Sequence, residues 1–255
     1  MTLNPLDFTF APFSDTPDLR MFWDGHGCLQ IFDSLLLALV NGAPLQTVIA
    51  EPGLGKTVLC RKLLNSLRSH KSRYRPLYLP YPHLDLDSDL DQMLGEDLLT
   101  QEAPDQRRTV LLVDEAQALP EKFLLRLIDW LSPPEAGRQG MQAVLFAQPE
   151  LEERLQGIAL RPLADLAGNS FKIHPFDRKQ IRSYLSERIV RAGADPETLL
   201  TERIIDTVWQ ASNGIPRLAN TIMRKALLAA RHDGSETLQH HHVLSATAST
   251  DVTVS

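Results

Sequence analysis

The chain has 255 residues, enough for one large domain or two modest ones, each able to bury a proper core. With 43% hydrophobic, 23% charged and 6% aromatic residues, its composition excludes a disordered, collagenous or membrane-spanning protein. Twenty-six Lys and Arg against 32 Asp and Glu leave a net charge of −6 and a pI near 5.7, which disfavours a general nucleic-acid binder but leaves room for a local basic patch.

The longest purely apolar run, Leu35 to Val40, falls far short of the roughly 20 residues of a membrane helix. The start, Met1-Thr-Leu-Asn-Pro-Leu-Asp-Phe, lacks the basic and then apolar pattern of a secretory signal. Cys28 and Cys60 have neither pairing nor metal-ligand spacing. These features predict a cytoplasmic, reduced protein.

In chain order, apolar runs alternate with helical patterns. Leu45 to Ala50 reads as a short strand ending in a Gly-containing turn, and a helix from about Thr57 to Ser69 follows with Leu59, Leu63 and Leu67 on one face. Leu77 to Tyr81, bounded by Pro76 and Pro82, and Thr109 to Val113, stopping at Asp114-Glu115, read as further strands of a parallel sheet covered on both faces. Glu121 to Leu131 is an amphipathic helix, Met141 to Phe146 the next strand, and Phe171 to Ile173 a short last one. Beyond Pro175 the pattern is helical: Asp177 caps one helix, Asp195-Pro196 opens another helical region, and a third helix runs from about Pro216 to Arg231. The expected architecture is an α/β domain over 1–175 and a small all-helical domain over 176–255.

Ala50-Glu-Pro-Gly-Leu-Gly-Lys-Thr57 matches the phosphate-binding loop that joins a strand to a helix, with Ala50 where the first Gly is usual. Gly53 and Gly55 allow a tight turn whose N–H groups face phosphate oxygens. Glu51, Pro52, Leu54 and Val58 complete the nucleotide-binding stretch. Lys56 reaches the β- and γ-phosphates, and the Thr57 hydroxyl is a Mg²⁺ ligand. Gly53-Leu-Gly55 lacks the third Gly of a dinucleotide fingerprint.

Such a loop needs an independent partner, and Val110-Leu-Leu-Val-Asp114-Glu115 supplies it. Asp114 at the carboxyl end of a buried strand is placed to hold Mg²⁺, directly or through water, and Glu115 to orient and deprotonate an attacking water. Gln148, after the strand from Ala143 to Phe146, reads either as a turn residue or as a contact to the γ-phosphate or water. Arg217, after Gly214-Ile-Pro216, reads either as a surface arginine or as the start of a lid helix bearing on nucleotide. His240-His-His242 reads as a solvated helix face rather than a metal site, and Cys60 carries no catalytic role.

The chain resembles the AAA+ ATPases of the ExeA/GspA family, most closely their short MshM-like pilus-biogenesis branch. The resemblance rests on Ala11-Pro-Phe-Ser-Asp-Thr-Pro-Asp18, Lys56-Thr-Val-Leu-Cys-Arg-Lys-Leu-Leu-Asn65, Val113-Asp-Glu-Ala-Gln-Ala-Leu-Pro120, Val144-Leu-Phe-Ala-Gln-Pro-Glu-Leu151, Gly214-Ile-Pro-Arg-Leu218 and Lys225-Ala-Leu-Leu-Ala-Ala230. It implies a P-loop fold, with a parallel sheet of five strands flanked by helices and a C-terminal helical lid. Lys56 and Thr57 fall on its Walker A positions, Asp114 and Glu115 on Walker B, Gln148 on sensor 1 and Arg217 on sensor 2.

It further implies ATP and Mg²⁺ as cofactors, and an ATPase or ATP switch that assembles into a homo-oligomer on binding ATP. Such a protein supports a type II secretion or MSHA-type pilus system with assembly proteins at the inner membrane. More distant relatives regulate DNA transposition, and a nucleotide-gated scaffold with little hydrolysis is the other alternative. Three departures qualify the match. Leu166 stands where the family carries an arginine that reaches a neighbouring subunit's nucleotide, so low basal activity is expected. The stretch between Pro82 and Thr109 is short, and its acidic run Asp85, Asp87, Asp89 and Asp91 reads as a solvated surface. The chain also ends just after the lid, without the membrane span and peptidoglycan-binding region of longer relatives.

Overall fold

The computed structural model describes residues 6, 8–14, 21–23, 25, 27–80, 107–132 and 141–251. Its contacts form two compact units. One comprises Gln30–Pro52 and Lys56–Ile173; the other comprises Met1–Leu29, Gly53–Gly55 and His174–Ser255. The acidic run from Asp85 to Asp91, and the Tyr81 and Pro82 end of the expected second strand, lie outside the described residues.

The α/β unit contains most of α1 (Cys28–Val40), followed by β1 (Leu45–Ile49), α2 (Lys56–Ser69), β2 (Tyr74–Leu79) and β3 (Arg108–Val113). After a one-turn 3-10 helix at Ala116–Ala118 come α3 (Glu121–Leu131), β4 (Gln142–Ala147), α4 (Glu150–Leu155), α5 (Arg161–Leu166) and β5 (Ala167–Lys172). The sheet has five strands in the order β2-β3-β4-β1-β5, and every neighbouring pair is parallel. β1, β3 and β4 therefore sit inside the sheet, which is why they are buried along most of their length and mostly apolar, with Gln46 and Thr47 the polar residues buried within β1. On one face Leu111, Val113, Leu145 and Ala147 pack with Leu124, Leu127 and Leu131 of α3. The alternating residues Leu112, Val144 and Phe146 are fully buried on the other face, as the pleat requires, and Leu59, Leu63 and Leu67 form the buried stripe of α2.

Two strands differ from their sequence-based expectation, and both are sheet edges. β2 begins at Tyr74 rather than Leu77 because its backbone pairs with β3 from Tyr74↔Arg108 through Pro76↔Val110. Pro76 looked like a boundary, but an edge strand tolerates a missing N–H. β5 begins at Ala167, four residues earlier than its apolar end suggests, since Ala-Gly-Asn-Ser pairs through the backbone with β1 while its side chains are largely exposed. α1, absent from the sequence reading as a helix, buries Phe32, Leu35, Ala38 and Leu39.

The second unit is helical: α6 (Arg178–Arg191), α7 (Pro196–Leu199), α8 (Glu202–Ser212), α9 (Pro216–His232) and α10 (His240–Asp251). Asp177 and Gln180 form a reciprocal capping box at the start of α6, and Asp195 caps α7 by accepting from the Glu197 N–H at 3.0 Å. Its core joins Ile181, Leu185, Ile204, Val208, Ile222 and Met223 to Leu6 and Phe13 from the N-terminal segment. Backbone contacts hold that segment: Thr9 N–H donates to Ala192 O at 2.9 Å, and buried Arg188 Nε donates to Pro12 O at 2.6 Å. Residues before Gln30 thus group with the C-terminal helices, a long-range packing that local pattern does not encode.

Gly214 requires its lack of a side chain. Its φ is +72°, and a Cβ there would lie 2.1 Å from Phe176 O, whose own N–H donates to Gly214 O at 2.8 Å. This close crossing fixes the chain just before α9 and so places Arg217 near the start of that helix.

Candidate functional site

The loop after β1 combines two glycine turns with a helix start. Gly53 and Gly55 have φ of +86° and +95°, so both use the left-handed region that other residues resist. Ala50 N–H is anchored to Ala147 O of β4 at 3.0 Å, fixing the loop's first residue to the sheet. Lys56, only 4% exposed, turns its Nζ back to donate to Ala50 O at 2.6 Å and Glu51 O at 3.1 Å. The cation is thereby held over the loop at a helix end that carries no acidic residue in its first turn. Leu54 is buried, Glu51 and Pro52 are exposed, and Thr57 and Val58 are half-buried.

Asp114 N–H pairs with Leu79 O at 2.9 Å, which sets the residue at the carboxyl end of β3, and its side chain is 2% exposed. The Thr57 hydroxyl donates to the Asp114 carboxylate. Burial holds that carboxyl above its ordinary range despite the stabilising Thr57 hydrogen bond, with the neighbouring Glu115 charge pushing the same way. A carboxyl whose pKa is raised on folding weakens the fold once it ionises: stability falls as pH rises from the unfolded to the folded pKa and stays lower above it. Asp114→Asn keeps an oxygen to accept from Thr57 and removes the buried charge. The nucleotide-free variant should therefore melt at a higher temperature than the unmodified chain at pH 7, and the difference should shrink at pH values below the ordinary carboxylate range. Equal melting temperatures at pH 7 would show that this charge carries no folding penalty.

Glu115 has φ +56°, one of the two described non-glycine residues in the left-handed region. Its Oε2 accepts from Gln117 Nε2 at 2.7 Å and from Gln148 Nε2 at 3.1 Å. Gln117 Oε1 accepts from Gln148 N–H at 3.1 Å, and Gln117 O accepts from Arg154 Nη1 at 2.6 Å. The α/β unit thus brings Lys56, Thr57, Asp114, Glu115 and Gln148 to the carboxyl ends of its central strands, where open α/β sheets bind ligands. Sequence reasoning gave no role to Gln117 or Arg154. Gln117 stood inside the quoted Asp-Glu-Ala-Gln stretch, but only the bend at Glu115 and the 3-10 turn after it bring the two side chains together.

Arg217 is exposed in the first turn of α9, and its backbone N–H approaches Gly53 O at 3.4 Å within the second unit. Leu166 ends α5, half-buried against the apolar core of the α/β unit, while Arg161 at the start of that helix is exposed. Cys60 is fully buried, and burial pushes its thiol well above the ordinary range, an inert setting. Asp233 at the end of α9 and His241 and His242 at the start of α10 bring potential ligand atoms within 4.8 Å of one another. His242 Nδ1 accepts from Gln239 N–H at 3.1 Å, and its buried Nε2 lies 3.3 Å from Asp233 Oδ2 without a hydrogen-bond partner. His242 is 1% exposed, so the solvated helix face expected for His240 to His242 does not include it.

A model of the AAA domain matches residues 40–155, which span the loop, β3 and β4. General secretion pathway protein A of Aeromonas hydrophila is 31% identical over 252 aligned positions, covering 90% of this chain. Together they support a GspA-like AAA protein. The chain spans 45% of the length of that relative. Among solved structures, Drosophila ORC bound to DNA is similar with a TM-score of 0.71 and 21% identity, covering 98% of this chain and 66% of that one. The Aeropyrum pernix ORC2 protein in its ADPNP–ADP complexes has a TM-score of 0.66 and 15% identity, covering 93% and 71%. The RuvB Holliday junction branch migration motor of Thermotoga maritima has a TM-score of 0.63 and 17% identity, covering 92% and 72%. At these identities the structural likeness establishes the AAA+ P-loop fold of the GspA-like chain, a parallel sheet flanked by helices. No helix among the described residues is long and apolar enough to cross a membrane.

Proposed function

We propose that the chain binds and hydrolyses ATP, and that this cycle drives a switch in a secretion or pilus assembly system. The observation that carries the reading is the Glu115 carboxylate at the end of β3, held by two amide donors next in sequence to the buried Asp114 carboxyl. Glu51 to Val58 cradle the phosphates, and Lys56 neutralises charge on the β- and γ-phosphates. Glu115 takes a proton from the attacking water as its oxygen bonds to the γ-phosphorus, and the bond to the β–γ bridging oxygen breaks to leave ADP and phosphate. Gln148 orients the water or a γ-phosphate oxygen, and Arg217 reports the nucleotide to the C-terminal helices.

Thr57 and Asp114 suit Mg²⁺, being a hydroxyl and a buried carboxyl already paired as hard oxygen donors. When bound there, the ion supplies charge neutralisation on the phosphate oxygens.

ATP binding promotes self-association, and the partners are secretion or MSHA-type pilus assembly proteins at the inner membrane, with the chain held there peripherally through them. Support for the secretion role comes from the sequence likeness to general secretion pathway protein A. One observation favours a second reading, a nucleotide-gated scaffold of low basal activity: Leu166 packs half-buried against the core and offers no charge to a neighbouring subunit. The partner assignment is tested by affinity capture from cells that carry pilus and secretion genes, with ATP-loaded Glu115→Gln against Lys56→Ala as baits. ATP-dependent capture of inner-membrane assembly proteins by the first bait alone is expected. Identical protein sets on both baits, or capture of DNA that falls with salt, would contradict it.

A further inference from the structure

We infer that Gln117 is a positioning residue that locks the Glu115 carboxylate and the Gln148 main chain into one frame; this rests on the hydrolytic reading above and deepens it. The two ends of the Gln117 amide meet opposite requirements. Its Nε2 donates to Glu115 Oε2 at 2.7 Å, while its Oε1 accepts from Gln148 N–H at 3.1 Å. A carboxylate only accepts and a backbone N–H only donates, so flipping the amide would break both bonds, and its orientation is set by its partners.

The rest of Gln117 is pinned as well. Its carbonyl accepts from Arg154 Nη1 at 2.6 Å, which ties the turn after β3 to α4. Gln148 closes the ring by donating from its own side chain to the same Glu115 oxygen at 3.1 Å. Three residues from two strand ends, β3 and β4, therefore form one cycle around a single carboxylate oxygen. Glu115 sits in the left-handed region with φ +56°, where its side chain depends on such partners for a fixed direction. Gln117 touches neither the phosphates nor the attacking water in this scheme, and it acts through Glu115.

The discriminating variant is Gln117→Met, close in size but without either hydrogen-bonding group, made in the unmodified chain and in Glu115→Gln. A second variant, Gln117→Glu, keeps the length and an acceptor for Gln148 N–H but cannot donate to Glu115; it covers the case in which Gln117→Met fails to fold. Affinity for a fluorescent ATP analogue and single-turnover phosphate release are read together. Each variant should bind the analogue within about twofold of the unmodified chain and release phosphate roughly tenfold or more slowly, the effect of losing a hydrogen bond to a charged group. In the Glu115→Gln background the same change should add no further loss, because the residue it positions is already gone.

Unchanged turnover in the Gln117 variants, an equal fold-loss in both backgrounds, or a parallel loss of affinity and turnover would overturn the inference while leaving the hydrolytic reading intact. Absence of phosphate release from the unmodified chain would instead overturn that reading, and the inference with it.

Discussion

Lys56→Ala yields a folded protein whose affinity for ATP is lower by at least roughly a hundredfold. The magnitude follows from charge-assisted hydrogen bonds, for which about 1.5–3 kcal/mol each is ordinary, made by one cation to two phosphates. The fold should survive because the buried Lys56 Nζ donates to loop carbonyls, Ala50 O and Glu51 O, while the α2 stripe of Leu59, Leu63 and Leu67 is untouched. Calorimetric titration with ATP, alongside circular dichroism, checks both halves of the statement. Near-normal affinity in a folded Lys56→Ala protein would remove the loop from the phosphate-binding role.

Glu115→Gln should behave in the opposite way, keeping ATP bound while losing about 10²- to 10⁴-fold in turnover, the span expected when a general base is removed. The surrounding frame explains why binding survives. The new side chain still has a carbonyl oxygen to accept from Gln117 Nε2 and Gln148 Nε2, so the cycle of hydrogen bonds can close without the charge. What is lost is the capacity to take a proton from water. The check is the ratio of single-turnover rates between the two proteins at saturating ATP. A ratio near one would place the water-activating group elsewhere.

The parts of the molecule legible in the sequence are those whose chemistry is local. β1, β3 and β4 are interior strands and read from their mostly apolar sequences; the loop between Ala50 and Thr57 reads from its glycines; Asp177 reads as a cap and forms a capping box. The edges were less legible. β2 runs through Pro76 and β5 through Ala-Gly-Asn-Ser, because an edge strand is defined by one row of backbone hydrogen bonds rather than by side chains buried on two faces. The docking of Leu6 and Phe13 with the C-terminal helices is equally invisible to periodicity, since it joins residues more than 150 positions apart.

The candidate site shows the same division. Lys56, Thr57, Asp114, Glu115 and Gln148 were named from residue type and position, and they converge on one end of the sheet. Gln117 and Arg154 were not, because a glutamine two residues past an acid and an arginine on a short helix have no distinguishing pattern. Only the positive φ of Glu115 and the 2.6 Å contact from Arg154 to Gln117 O turn them into a frame.

Phosphate release from Mg-ATP by the purified, unmodified chain is the most direct test of the central claim. Steady release is expected, slow in isolation, stopping when Mg²⁺ is chelated and resuming when the ion is returned. Tight ATP binding with no phosphate release over many hours, in a protein shown to be folded, would contradict it and make the chain a nucleotide-gated scaffold.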